Sequence, residues 1–477
     1  MEQPKEYNDI IDLIKWLKFD LEQQKDEISK KNKIDKNEIK ENNLILNIGK
    51  KESFTFEKED EDKIIINCPI IFNEFIDKKN NKINYKINLS NCIFTNNAKF
   101  NRLIYKNKLI YNNEVNFSYS IFDTNITITH VIFNGIVNFQ KSLFNNEICI
   151  DNTTFNNNLY FNNSIFNSSV NLDNNNIFNG VVDFSESIFN NNVLLMYSEF
   201  NSILNFRYAT INFNYISLIN INTIVIIFDN IQFKNTDYKL LIKNDYIGYY
   251  KHNKFSFNNI DLNGKIEIRN IGINEVDFTN TFIYGGLINT VNFKVHKFAN
   301  RESALFLKQQ DYDRNNAIDA LEYKAKEIEC HKDDLMKSSK YIIQNKEYSF
   351  TKKTKELYKI VGDIASIYLS SFYSDNGQNW IKALAMTIFV TALCFTVFYI
   401  PDLTQSNIIR FYYKNLFPEL IKYFIPTDYT LLIKYAASSL NLLLKIFGVL
   451  VYFLGKVLFW YGSVQTVTAF RKFSKGA

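Results

Sequence analysis

The sequence predicts a mainly β fold, a stacked β-helix, followed by an α-helical segment and two transmembrane helices. Three observations carry this. Between residues 115 and 211 an apolar residue, usually Phe, recurs at alternating steps of five and six. After residue 300 the apolar spacing becomes helical. Two long apolar stretches then lie between residues 383 and 470.

The repeat comes first because a fixed internal period decides the architecture. Its anchors are Phe117, Phe122, Ile128, Phe133, Phe139, Phe144, Ile150, Phe155, Phe161, Phe166, Leu172, Phe178, Phe184, Phe189, Leu195, Phe200, Phe206 and Ile211. The period is 11, with one lapse: a six stands where a five is due, between Leu172 and Phe178. Two residues before each anchor is a second selected position. It is small or polar at Ser120, Ser142, Thr153, Ser164, Ser187 and Ser198, and aliphatic at Val115, Val137, Leu159, Val182, Val193 and Leu204. A spacing of two on one side of the backbone is the strand period. Each unit therefore reads as one very short strand and a corner. One unit cannot bury a Phe alone, so coils must stack into a continuous core. Asn fills the corners at Asn145-Asn146, Asn156-Asn157-Asn158 and Asn190-Asn191-Asn192, where its tolerance of the left-handed conformation is useful. Pro is absent from residue 70 to residue 400, which suits ladders in which nearly every N–H donates.

This pattern resembles the pentapeptide-repeat proteins, in the variant where F-x-x-x-a-x-F-x-x-a-x alternates five and six. Ser142-Leu143-Phe144 and Val182-Asp183-Phe184 are examples. The resemblance implies a right-handed quadrilateral β-helix with the anchor and the residue two before it pointing inward. Val or Leu often replaces the small residue, and the rhythm lapses over 214–255. It returns at Leu262, Ile268, Ile273 and Phe278, and an earlier start is visible at Phe94 and Phe100. The expected β-helix is 88–298, irregular at 214–255. At roughly 22 residues a turn this makes about nine turns, a column of roughly 40–45 Å.

The flanks are read as follows. Residues 1–43 form an N-terminal helical segment, with Ile10, Ile11, Ile14, Leu17 and Leu21 on one side. Residues 44–87 are capping strands (Leu44–Ile48, Ser53–Phe56, Ile64–Asn67), with Glu57–Asp62 a solvated hairpin tip. Such a cap protects the open end from edge pairing. Residues 299–379 form a helical linker domain, in which Ile318, Leu321, Ala325 and Ile328 keep helical spacing. The stretch from Leu307-Lys308 to Ala325-Lys326-Glu327 resembles the helical segment of membrane-attached family members. Asp375-Asn376-Gly377-Gln378-Asn379-Trp380 resembles their lead-in to the first membrane helix. The membrane domain, 380–477, has spans at about 382–400 and 446–470. Its close, Ala469-Phe470-Arg471-Lys472, again resembles that group. The basic tail Arg471, Lys472 and Lys475 places the C-terminus in the cytoplasm. Two spans put the N-terminal domain on the same side, as a multi-pass protein of the inner (cytoplasmic) membrane. Met1–Asp20 has no apolar h-region, so no cleaved signal is expected. Arg410, Lys414 and Lys422 between the spans reduce the charge asymmetry.

Composition narrows function by exclusion. Of 477 residues 22% are charged, with a net charge of +5. Nothing there calls for nucleic acid, which needs a concentrated basic patch. Five Cys without a C-x-x-C pair read as reduced, inert thiols. Four His occur, at 130, 252, 296 and 331, in no metalloprotease or nucleophile motif, and there is no phosphate-binding glycine loop. His331, Cys330 and Glu327 lack a fourth ligand for a metal. The reading is therefore not an enzyme, with no catalytic, cofactor-binding or metal residues. The site residues are the β-helix anchors Phe117, Phe122, Phe133, Phe139, Phe144, Phe155, Phe161, Phe166, Phe184, Phe189, Phe200 and Phe206, and the intramembrane or pore candidates Lys445 and Lys456. With Lys434 these lysines are 11 apart, which on one continuous helix makes a stripe. Lys456 then lies near mid-membrane, facing an interior or aqueous path. In the plainer reading, Lys445 and Lys456 snorkel to opposite interfaces.

The leading expectation is a non-enzymatic, membrane-anchored scaffold presenting a cytoplasmic β-helical rod to a protein partner, with the lipid bilayer as its other partner. The alternative is a homo-oligomeric ion channel or pore made by the two spans, the β-helix acting as its cytoplasmic regulatory domain. A DNA-mimic role known in this family needs a strongly acidic rod, yet 88–228 holds eight acidic and six basic residues. An ice-binding face needs ranks of T-x-T, and only Thr127–Thr129 offers one.

Overall fold

A computed structural model describes residues 6–7, 10–33, 35–40, 44–48, 64–66, 82–90, 92–95, 98–101, 108–213, 215–235, 238–245, 252–345, 348–403, 418–425, 427–436 and 442–474. The chain divides into two compact units, Met1–Ser303 and Ala304–Ala477. The expected strand Ser53–Phe56 and the hairpin tip Glu57–Asp62 lie outside the described residues.

The first unit is a parallel β-solenoid of about 8 turns. Each regular coil contributes four short strands, and each strand pairs in parallel with its counterpart one coil away. One ladder forms a nine-stranded sheet, in which Phe122 pairs with Phe144, Phe144 with Phe166 and Phe166 with Phe189. The anchors stack ring on ring. Phe94, Phe122, Phe144, Phe166 and Phe189 form one column with centroids 4.6–5.0 Å apart. Phe117, Phe139, Phe161, Phe184 and Phe206 form a second, at 4.7–5.2 Å. Tyr111, Phe133, Phe155, Phe178 and Phe200 form a third. The fourth ladder buries aliphatic side chains, Ile150, Leu172 and Leu195 among them. All twelve expected Phe anchors are buried.

The small position before alternate anchors has a specific task. Ser164 Oγ accepts the Ser142 N–H at 3.1 Å and donates to the Phe139 carbonyl at 2.9 Å. Ser187 does the same for Ser164 N–H and Phe161 O. A tight corner leaves one N–H and one C=O out of the strand ladders, and a buried hydroxyl satisfies both. At the lapse before Phe178, Asn176 takes this place, accepting from Thr153 N and donating to Ile150 O. The extra residue is absorbed by two successive left-handed residues, Asn174 and Asn175.

The corners correct one expectation. Asn145, Asn146, Asn156 to Asn158 and Asn190 to Asn192 are not left-handed. Several bond along the solenoid instead: Asn134, Asn156, Asn179 and Asn201 each donate to the previous coil's Asn at 2.8–2.9 Å. A second ladder joins Asp123, Asn145, Asn167, Asn190 and Asn212. The left-handed residues recur at other corners, at Tyr119, His130, Lys141, Asn152 and Asn163. At Tyr119 and Lys141 the coil-to-coil hydrogen bonds override residue preference, whereas Asn152 and Asn163 suit the corner.

The strands expected as a cap are rungs of the solenoid. Ile45–Asn47 pairs in parallel with Lys86–Asn88, and Ile64–Ile66 with Cys92–Phe94. Helix α1 (Ile10–Asn32) supplies Gln24, which accepts from Ile45 N–H and donates to Ile45 C=O. One side chain thus mimics a neighbouring strand on an end rung. Residues 214–255, where the rhythm lapses, still add rungs: Tyr215–Ile219 pairs with Lys239–Lys243, and Asn222–Ile227 with His252–Ser256. At the last coil, Ser303 Oγ accepts from Phe278 N–H.

The remaining helices are α2 (Arg301–Asp313), α3 (Ala317–Gln344), α4 (Phe350–Ser374), α5 (Trp380–Leu403), α6 (418–424), α7 (Thr430–Ala436) and α8 (Leu442–Ser474). Helix α4 ends in three left-handed residues, Asp375, Asn376 and Gly377. Asn379 Oδ1 then caps α5 by accepting from Lys382 N–H. Two segments are long and apolar enough to cross a membrane: Trp380–Phe398 and Leu442–Arg471. They are antiparallel, since Trp380 meets Phe470 at one end and Phe398 meets Tyr452 at the other.

Candidate functional site

A glycine stripe, a tyrosine cluster and a buried lysine mark the apolar helical pair. Gly448, Gly455 and Gly462 are seven residues apart, two helical turns, and so share one face of α8. A Cβ on Gly462 would fall on Thr387 of α5 and Tyr373 of α4. One on Gly455 would fall on the Tyr423 hydroxyl and Cys394, and one on Gly448 on the Tyr435 ring. Missing side chains thus let α5 and three tyrosines come close to the α8 backbone.

The space is filled by a cluster of Phe395, Phe398, Tyr423, Leu431, Tyr435 and Tyr452. Its hydroxyls are used: Tyr452 donates to Asp428 O at 2.6 Å and Tyr435 to Leu444 O at 3.0 Å. That last bond means α7 folds back on α8, so Lys434, Lys445 and Lys456 do not form one helical stripe. The Lys434 side chain, Arg410 and Lys414 lie outside the described residues.

Lys456 belongs to this cluster and is only 6% exposed. Its Nζ donates to Tyr423 O at 2.6 Å and Ile425 O at 2.7 Å, carbonyls at the end of α6. The same Nζ sits 5.0 Å from the Tyr423 ring centroid and 5.2 Å from that of Tyr452. Carbonyls at a helix C-terminus carry partial negative charge, and aromatic faces attract cations. The lysine is therefore solvated by its own chain. Lys445 is half-buried and donates to Ala436 O at 3.0 Å. The two lysines lie on the same side of Gly462, towards the α6–α7 end, and so do not mark opposite ends of the helix pair.

The other titratable candidates are dispersed. His130 is a left-handed corner residue and His296 is exposed. Glu327 is held by Lys308 Nζ at 2.6 Å. Among the described residues no group of three His, Cys, Asp or Glu could hold a metal ion. His252 is buried in the solenoid beside Asn244, and burial pulls it down to about 4. Asp173 is pushed up to about 6, first by burial and then by Asp151 and Glu147. Burial, with the same carboxylates, raises the Cys149 thiol.

The tyrosine cluster and the glycine stripe were not singled out from sequence. The stripe is visible there as a seven-residue spacing, whereas the carbonyl partners of Lys456 are 33 and 31 residues away and have no local signature. Comparison with protein-family models, curated proteins and solved structures finds no match to this chain.

Proposed function

We propose that this chain is a non-enzymatic scaffold, held in the membrane by the α5–α8 hairpin and presenting a pentapeptide-repeat-type solenoid to a protein partner. One observation carries the reading: a solenoid whose interior is filled by stacked rings, joined in one chain to a closely packed pair of apolar helices. A filled solenoid offers long flat faces and no internal cavity for chemistry. The antiparallel hairpin is consistent with both chain ends lying on one side, which the basic tail makes the cytoplasmic one.

The burial of Lys456 against chain carbonyls favours an anchor over a pore, because a pore lysine must meet the passing ion. Affinity capture with the full-length protein in detergent tests the scaffold. A partner retained by wild type and lost when outward solenoid residues are changed supports it. Ion flux through liposomes carrying the protein, abolished by Lys456→Ala, would replace it with the channel reading.

A further inference from the structure

One outward face of the solenoid carries charge in an ordered sequence along its length. Its strands are Ile126–Thr129, Ile148–Asp151, Val170–Asp173, Val193–Met196, Tyr215–Ile219, Lys239–Lys243, and the first parts of Lys265–Asp277 and Leu287–Phe298. Their last outward positions run, rung by rung, Asp151, Asp173, Met196, Ile219, Lys243, Arg269. The first outward position repeats the theme: Glu147 lies at the acidic end, and Lys239 and Lys265 at the basic end.

This order costs stability within one copy. Asp151 and Asp173 are direct neighbours, as are Lys243 and Arg269, and like charges on adjacent strands repel. Among the described residues Glu147, Asp151 and Asp173 have no cationic partner, and Asp173 Oδ1 makes no hydrogen bond. At the basic end Glu267 neutralises part of the charge through Lys239, Lys265 and Arg269, and Asp245 lies 3.5 Å from Lys243. Four cations there still outnumber two carboxylates.

The column is its own complement when reversed. We propose that this face pairs with the same face of a second copy, the two solenoids antiparallel about a two-fold axis between the Met196 and Ile219 rungs. Rotation about an axis along the strands keeps each column opposite itself and reverses rung order. Asp151 then meets the second copy's Arg269, Asp173 its Lys243, and Glu147 its Lys265, while Met196 and Ile219 form the apolar centre. A parallel pairing would reverse the strand direction and set like charges together, Asp151 against Glu147, Lys243 against Lys239 and Arg269 against Lys265. Five residues of strand and eight rungs span about 550 Å² per copy, with Ser217, Leu241 and Glu267 of the middle column already buried within one copy, so the face is near the lower limit for a specific interface. The pair is therefore expected to be salt-sensitive. This inference rests on the solenoid alone and holds or fails independently of the scaffold reading.

The test uses full-length protein in detergent with two differently tagged, co-expressed copies. Asp151→Lys/Asp173→Lys alone and Lys243→Asp/Arg269→Asp alone should each reduce co-purification at least tenfold at low salt. The two variants expressed together should restore it, which also shows that both fold. For orientation, Thr129→Cys in one copy should cross-link to Val291→Cys in the other, the two rungs beyond each end of the charged column. Thr129→Cys should not cross-link to itself, because its counterpart would be about 34 Å away. A monomeric wild type, reversal variants that co-purify like wild type, a mixed pair that fails to recover, or Thr129→Cys self-cross-linking would each overturn the proposal.

Discussion

Replacing Ser164 by Ala removes a single oxygen from the solenoid and should cost far more than its size suggests. The side chain is fully buried. Its hydroxyl is the partner of Ser142 N–H at 3.1 Å and of Phe139 C=O at 2.9 Å, both across one coil boundary. Alanine fits the space but strands both groups in a dry core. Each unsatisfied buried group costs about 1–3 kcal/mol, so the loss of two should be about 2–6 kcal/mol. Solenoid stability is carried by contacts between neighbouring coils, so the effect should be local. Hydrogen–deuterium exchange of the full-length protein reads this directly. Amides of the strands at 143–144, 165–166 and 188–189 should exchange at least roughly 30-fold faster, and up to roughly 20,000-fold, at about tenfold per 1.4 kcal/mol. Ser169→Ala, at an outward corner position, is the control and should change them less than about twofold. Ser164→Ala exchanging like the control would refute the claim that the serine column closes the coil corners.

Three further outcomes follow from the same geometry. His252 is held to about 4 in the folded chain against an ordinary 6.5. Only the unfolded chain takes up its proton between those values, so stability is intact above pH 6.5 and should fall by up to about 3 kcal/mol as pH drops towards 4. His252→Gln should flatten that dependence in exchange protection of 252–256, and an unchanged slope would exclude His252 as its source. Gly180→Ala places a Cβ on the backbone of Asn157 and Asn158 in the adjacent coil. It should destabilise the neighbouring strands by about 1–3 kcal/mol by the same readout, whereas a neutral result would mean the corner has room. Lys456→Met removes the donor shared by Tyr423 O and Ile425 O, so limited proteolysis should cut within 418–436 several-fold faster than in wild type, and an unchanged rate would show that the lysine does not hold this segment.

Much of this was legible because the repeat itself reports burial. The Phe columns follow directly from the 11-residue period, since a residue returning every second unit must share a face. The serine positions were visible as small or polar, but their bonding depends on the register between coils. Some left-handed corners were hidden for a different reason: Tyr119, Lys141 and Glu186 occupy them, and none of these residue types signals that conformation. Asn-rich corners were visible, and the ladders they form need the adjacent coil. At Lys456 the sequence raised a buried cation without naming what surrounds it. Its answer lies at the end of α6, 33 and 31 residues earlier in the chain. The reversed order of charge along one face was hidden too, because its members are separated by a whole coil.

The proposed anchor requires α5 and α8 to cross the membrane as a hairpin, with Cys330 and Ser474 on one side and Asp428 on the other. Thiol labelling of sealed vesicles bearing the full-length protein tests it, with single reporter cysteines at native Cys330, at Ser474→Cys and at Asp428→Cys. Cys330 and Ser474→Cys should react with an impermeant reagent only from the cytoplasmic face, and Asp428→Cys should be protected from that face. Labelling of all three from the same side would contradict the account.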